Sequence, residues 1–162
     1  LTLIDLPYSS IGGLRVNAQC MAFGAGSTTK PGAIATYEWS SGTVTELRRS
    51  SSVEVEEGYL SIPEVVEFPT TNGLTAYGFY YPPTNKDYTA PNGETPPLLV
   101  KIHGGPTAAT SATLDLRLQY WTSRGIAILD VNYGGSTGYG REYRERLKGN
   151  WGIVDVDDCV FV

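Results

Sequence analysis

The residues best suited to chemistry are His103-Gly104-Gly105-Pro106, which follow the apolar run Leu98-Leu99-Val100-Lys101-Ile102. A run apolar at almost every position fits a central strand covered on both faces, and α/β folds gather their ligand sites at the carboxyl ends of such strands. Two glycines there let the backbone approach a substrate carbonyl and aim an N–H at the charge that develops on its oxygen. That is the chemistry of an oxyanion hole. The plain alternative is a Gly-Gly turn that only reverses the chain.

A second candidate is Gly134-Gly135-Ser136-Thr137-Gly138, which fits the G-x-S-x-G pattern of a nucleophile elbow and lies between a strand-like and a helix-like segment. Ser136 would then attack. Hydrolases with that elbow place an acid and then a histidine downstream of the serine, whereas no histidine follows Ser136 and the single one, His103, precedes it. A structural glycine-rich loop is the better reading. Asp130, Asp155, Asp157 and Asp158 read as structural: Asp130 alternates with apolar neighbours near a strand end, and the other three suit a helix first turn, where acids offset the dipole. Tyr133, Tyr139, Tyr143 and Trp151 read as packing around the loop. No Gly-rich loop with a lysine offers phosphate binding.

These residues need elements to position them. Leu14 to Gly24 has a partly alternating strand pattern, and Ala33–Trp39 and Thr43–Leu47 form a hairpin across Ser40-Ser41-Gly42. Such a meander cannot hide both faces of its own sheet, which fits one blade of a β-propeller. The polar stretch from Arg48 to Gly58 reads as a linker, with a boundary near residue 60. Glu64–Phe68 and Leu74–Tyr81 flank a second hairpin turn that contains Asn72-Gly73. The strand Leu98–Ile102, a helix over Leu114–Arg124 closed by Gly125, and the strand Ile126–Val131 make a βαβ unit, followed by a helix over Tyr139–Lys148 and the start of another at Asp155.

Bulk properties narrow the field. The 162 residues are 41% hydrophobic with a net charge of -5, and no basic face is present, so nucleic acid is a poor partner. No segment reaches the about 18 apolar residues that cross a bilayer, and Leu1-Thr2-Leu3-Ile4-Asp5 has no basic leader, so no membrane partner is expected. One histidine and two distant cysteines, Cys20 and Cys159, build no zinc site, and both thiols read as buried and free.

The runs Pro97–Pro106, Trp121-Thr122-Ser123-Arg124-Gly125, Asp130–Tyr143 and Trp151–Asp158, taken together, resemble the opening of the catalytic domain of prolyl oligopeptidases. Within that family they are nearest the acylaminoacyl-peptidase and dipeptidyl-peptidase-like branch. The resemblance covers residues 60–162; residues 1–50 are similar to the last propeller blade only in pattern and placement. It implies an α/β-hydrolase fold, of which 60–162 is the N-terminal part, preceded over 1–59 by the end of a β-propeller.

The activity implied is serine-type hydrolysis of peptide bonds in short peptides through an acyl-enzyme, without a cofactor or metal. A cytoplasmic location is expected, and self-association is allowed. Gly104 sits where the family offers a backbone N–H to the oxyanion, and His103 where some members place a tyrosine whose hydroxyl donates to the same oxygen. Ser136 corresponds to a structural loop. The family's nucleophile, acid and histidine are expected beyond Val162, so the chain alone is expected to be inactive and poorly soluble. Two rival readings are a non-catalytic binding module on the same architecture and an esterase or amidase on the same scaffold.

Overall fold

A computed structural model describes residues 3–162; Leu1 and Thr2, the first residues of the segment read for a leader, lie outside the described residues. The chain divides into two compact units. One holds the residues up to Glu57 together with Ser111–Leu116, and the other holds Gly58–Thr110 and Arg117–Val162.

The first unit is an antiparallel meander of four strands in chain order: β1 (Ser10–Val16), β2 (Cys20–Gly26), β3 (Ala33–Glu38) and β4 (Val44–Arg49). Alternation along β2 sends Met21, Phe23 and Ala25 to one face, where they meet Ala35 of β3 and the flanking Leu6, Tyr8 and Val44. The single strand expected over Leu14–Gly24 is two strands. The signal that splits it is Asn17, whose side-chain oxygen accepts the N–H groups of Gln19 and Cys20, both at 2.8 Å, and so builds the turn. β4 also extends into Arg48 and Arg49, which pair with Ile34 and Ala33 although the sequence reads there as linker. Ser111–Leu116 joins this unit through Ser9 Oγ donating to the Ala112 carbonyl (2.8 Å) and Leu114 N–H donating to Ser27 (2.7 Å).

The second unit is built on a mixed sheet that includes β5 (Glu64–Pro69), β6 (Thr75–Tyr81), β7 (Leu98–Ile102) and β8 (Ala127–Asn132), in the order β5-β6-β8-β7. The β5–β6 turn puts Asn72 at φ 57° and Gly73 at φ 68°, the left-handed conformation that these two residues tolerate best. The crossover from β7 to its parallel neighbour β8 contains helix α1 (Leu116–Thr122); α2 (Gly140–Glu145) and α3 (Val154–Val160) follow β8.

β7, read as a central strand, is an edge of this sheet among the described residues, and its apolar side chains stay substantially exposed. The central strand is β8, buried at all six positions. Alternation along it sends Leu129 and Val131 toward Tyr133 and Leu147, and Ile128 toward Tyr81 and Leu118.

Because Ile128 is 0% exposed at the middle of that strand, Ile128→Ala removes apolar contact from a site that cannot collapse around the gap. The expected loss is about 2–5 kcal/mol, read by denaturant unfolding, whereas the same change at Ile62, 49% exposed, costs far less.

Candidate active site

Two loops leave the carboxyl ends of β7 and β8, which is where parallel strands deliver their ligand-facing residues. The first runs from His103 to Thr110 and the second from Tyr133 to Tyr139. Both lack regular secondary structure, so their backbone groups must be held by side chains and turns.

The first loop is pinned at its far end. Thr110 Oγ1 donates to Asp130 Oδ2 (2.5 Å), and Thr110 N–H donates to Asn132 Oδ1 (2.8 Å). Asp130 is 1% exposed and also accepts from Lys101 Nζ (2.5 Å), its register partner on β7, so a buried carboxylate has a cation and a hydroxyl to replace its water. Asp130 thus has a structural place, as its alternation in the sequence implies.

His103 stands at the near end. Its ring stacks on Tyr133, centroids 4.6 Å apart and planes 18° from parallel. Nδ1 lies 3.0 Å from the Gly104 carbonyl and Nε2 lies 2.7 Å from Ser136 Oγ. The Tyr133 hydroxyl reaches back to the His103 and Pro106 carbonyls, each at 3.3 Å.

The two glycines differ. A Cβ at Gly104 would meet nothing within 4 Å, so that residue faces open space. Gly105 has φ +130°, and a Cβ there would lie 3.1 Å from Ala108 Cβ, so its backbone path requires glycine.

The second loop is held from several sides. Gly134 N–H donates to Asp158 Oδ2 (2.6 Å), Gly135 N–H to the Tyr143 carbonyl (2.9 Å), Ser136 N–H to the Tyr133 carbonyl (2.9 Å) and Thr137 N–H to the Ala108 carbonyl (2.8 Å). Asp158 is 2% exposed on α3, and its other oxygen accepts from Thr70 Oγ1 at 2.5 Å. Of the acids that read as helix-start residues, Asp155 accepts from Gly152 N–H (2.7 Å), while Asp158 ties the helix to the loop. Nothing in its position on a helix pattern signals that second role.

Ser136 is 0% exposed. A nucleophile has to reach a substrate carbonyl, and this hydroxyl is enclosed against an imidazole. The Tyr77, Tyr139 and Tyr143 rings pack together beneath, with Tyr77 and Tyr139 stacked at 4.6 Å. Burial pushes the Tyr133, Tyr139 and Tyr143 hydroxyls up from their ordinary range, most strongly at Tyr143, and keeps them neutral. Tyr143 uses its proton on the Asn132 carbonyl at 2.6 Å.

Two measurements follow from this packing. Asp158→Asn substitutes an NH2 for one of two accepting oxygens, so either Gly134 N–H or the Thr70 hydroxyl loses its acceptor; the expected cost is about 1–3 kcal/mol in an unfolding titration. Cys159, packed beside Tyr133, has its thiol pushed up from 9.0 to about 11, first by burial and then by Asp158 and Asp155. The folded state therefore keeps a proton that the unfolded chain releases. Stability from this group is fully present below pH 9.0 and falls as pH rises through about 11. Iodoacetamide, which attacks the thiolate, modifies Cys159 at pH 9 more slowly in the folded protein than in urea, as read by peptide mass spectrometry.

Residues 112–162 match the model of the prolyl oligopeptidase family. The chain superposes on a puromycin-hydrolysing peptidase of Mycobacterium tuberculosis with a TM-score of 0.94 at 40% identity, covering 98% of this chain and 25% of that one. A mutant puromycin hydrolase solved in complex with PGG gives a TM-score of 0.88 at 38% identity, over 98% of this chain and 24% of the other. The peptidase YuxL of Bacillus subtilis, itself uncharacterised, is 34% identical over 107 residues, 65% of this chain and 16% of the relative. This chain thus spans a quarter or less of the length of these proteins. With acylamino-acid-releasing enzymes and dipeptidyl peptidases also among its relatives, the chain belongs to the prolyl oligopeptidase family of peptidases.

Proposed function

We propose that this chain is part of a serine peptidase that hydrolyses amide bonds in short peptides through an acyl-enzyme, with residues 60–162 as the opening of an α/β-hydrolase domain. The four-stranded meander is the end of a β-propeller in this reading. The observation that carries the proposal is the loop His103–Pro106 at the carboxyl end of a parallel strand, with Gly104 open to solvent and its flanks tied down.

Within that reading the chain contributes oxyanion stabilisation. The Gly104 N–H is the donor that meets the negative oxygen of the tetrahedral intermediate, and a pinned loop provides it without reorganisation at the moment of reaction. The His103 ring spends both nitrogens inside the site, so its contribution is to hold the loop in place and the donor is backbone. Ser136, being enclosed, is not the nucleophile in this reading, which assigns that role to another serine of the intact protein. Peptide substrates gain support from the relative solved with PGG, and puromycin is the second substrate to assay.

Gly104→Pro in the intact protein deletes the N–H, whereas Gly104→Ala keeps it and has room for the methyl group. The proline variant is expected to lose about 10²–10³ in kcat with unchanged melting temperature, and the alanine variant much less. Equal losses in both would remove Gly104 from the oxyanion hole. A fluorophosphonate probe is expected to label the wild-type protein at a serine other than Ser136; a mass-mapped adduct on Ser136, or no adduct at all, overturns the assignment.

A further inference from the structure

The hydrogen bond between Ser136 and His103 has a direction, and the direction has a consequence for the loop above it. Nδ1 of His103 lies 3.0 Å from the Gly104 carbonyl. A carbonyl only accepts, so Nδ1 bears the proton. In the neutral ring Nε2 is then bare, and the Ser136 hydroxyl, 2.7 Å away, donates to it. The opposite tautomer would set Nδ1 lone pair against carbonyl lone pair. The Gly104 carbonyl therefore selects the tautomer, and the Ser136 hydroxyl, which can donate or accept, adapts by donating to the bare Nε2.

The bond closes a ring that runs from the imidazole through the His103 Cα and the Gly104 nitrogen to the Gly104 carbonyl, so it holds the peptide unit that carries the Gly104 N–H. Glycines have the widest backbone freedom of any residue, and without a restraint on that unit the loop would sample several orientations. Two further contacts remove the imidazole's own freedom: Tyr133 stacks on its face, and Ser136 is 0% exposed on a loop fixed through Gly134, Gly135 and Thr137. A buried serine whose backbone is fixed cannot move away.

We infer that Ser136 is a positioning residue: by donating to His103 Nε2 from a fixed loop it holds in place the imidazole whose Nδ1–H binds the Gly104 carbonyl, and so orients the peptide unit that carries the Gly104 N–H of the oxyanion loop. The inference rests on the oxyanion reading of that loop. Its serine lies in a pattern that mimics a nucleophile elbow, and its role is to orient backbone donors without touching the substrate.

The test has a spectroscopic arm and a kinetic arm, both on the intact protein. With 15N-labelled histidine, and His103 assigned by its loss in His103→Ala, wild type is expected to show a protonated Nδ1 and a bare Nε2. A protonated Nε2 in the neutral ring overturns the inference without any variant. Ser136→Ala, which frees the imidazole, is expected to relax that signal toward a mixture of tautomers and to lower kcat roughly 10- to 100-fold with KM little changed. In a His103→Ala background the same substitution is expected to cost nothing further, because its effect passes through the ring. Additive losses, or an Ser136→Ala enzyme with wild-type kcat, overturn it. If the wild-type protein hydrolyses no amide and takes no fluorophosphonate, the hydrolase reading fails. The tautomer measurement then still decides whether Ser136 controls His103.

Discussion

The architecture of the site depends on one constraint: β8 is buried along its whole length, yet it carries two polar side chains, Asp130 and Asn132. A buried carboxylate or amide without partners is costly, so each must be met by groups brought in from elsewhere. Lys101 and the two donors of Thr110 meet them on the β7 side, and the Tyr139 hydroxyl accepts from Asn132 Nδ2 at 3.1 Å. What meets these side chains is also what orders the loops, while Asp130 Oδ1 stays buried without a hydrogen-bond partner. The His103–Thr110 segment has no helix or sheet of its own, and its far end has a fixed address because Asp130 and Asn132 require it.

The same logic runs through Asp158. Its carboxylate is enclosed between Thr70, at the start of the β5–β6 turn, and Gly134, at the start of the second loop. Close packing finishes the arrangement: a Cβ at Gly134 would come 2.9 Å from Val154, and one at Gly135, whose φ is +125°, would come 2.7 Å from Leu147. Glycine at these two positions lets α2, α3 and the loop approach each other. Hairpin, helix and loop are therefore tied together, and Ser136 takes its place from them.

How much of this could be read in the sequence depended on the range of the forces involved. Local signals worked: Asn72-Gly73 marked the β5–β6 turn, and Gly125 sits at φ +87° after α1, as a helix-closing glycine should. The apolar run Ile126–Val131 marked β8 as a strand. Asn17 was missed because its turn is built by a side chain and lies within a run that otherwise alternates. β7 looked like a central strand because hydropathy reports which faces are apolar, and strand order is set by pairing partners far away in the chain. The loops' polar contacts are likewise remote. Ser136 to His103 spans 33 residues and Thr70 to Asp158 spans 88, and no pattern of spacing announces either pair.

The G-x-S-x-G run shows why a motif has to be read through its surroundings. Glycines around a serine make a tight turn after a strand possible, and that permission is neutral about which way the hydroxyl then points. An elbow needs the hydroxyl outward, toward substrate and with a base beside it. Here the base is present, Nε2 at 2.7 Å, yet Ser136 is wholly enclosed and the imidazole's other nitrogen is committed to a backbone carbonyl in place of a carboxylate. A carbonyl oxygen has no full charge with which to stabilise an imidazolium, so taking the serine proton would be far less favourable than in a triad. The pair is arranged so that the proton stays on serine. That makes it a poor nucleophile and base, and a good fixed donor under the His103–Pro106 loop.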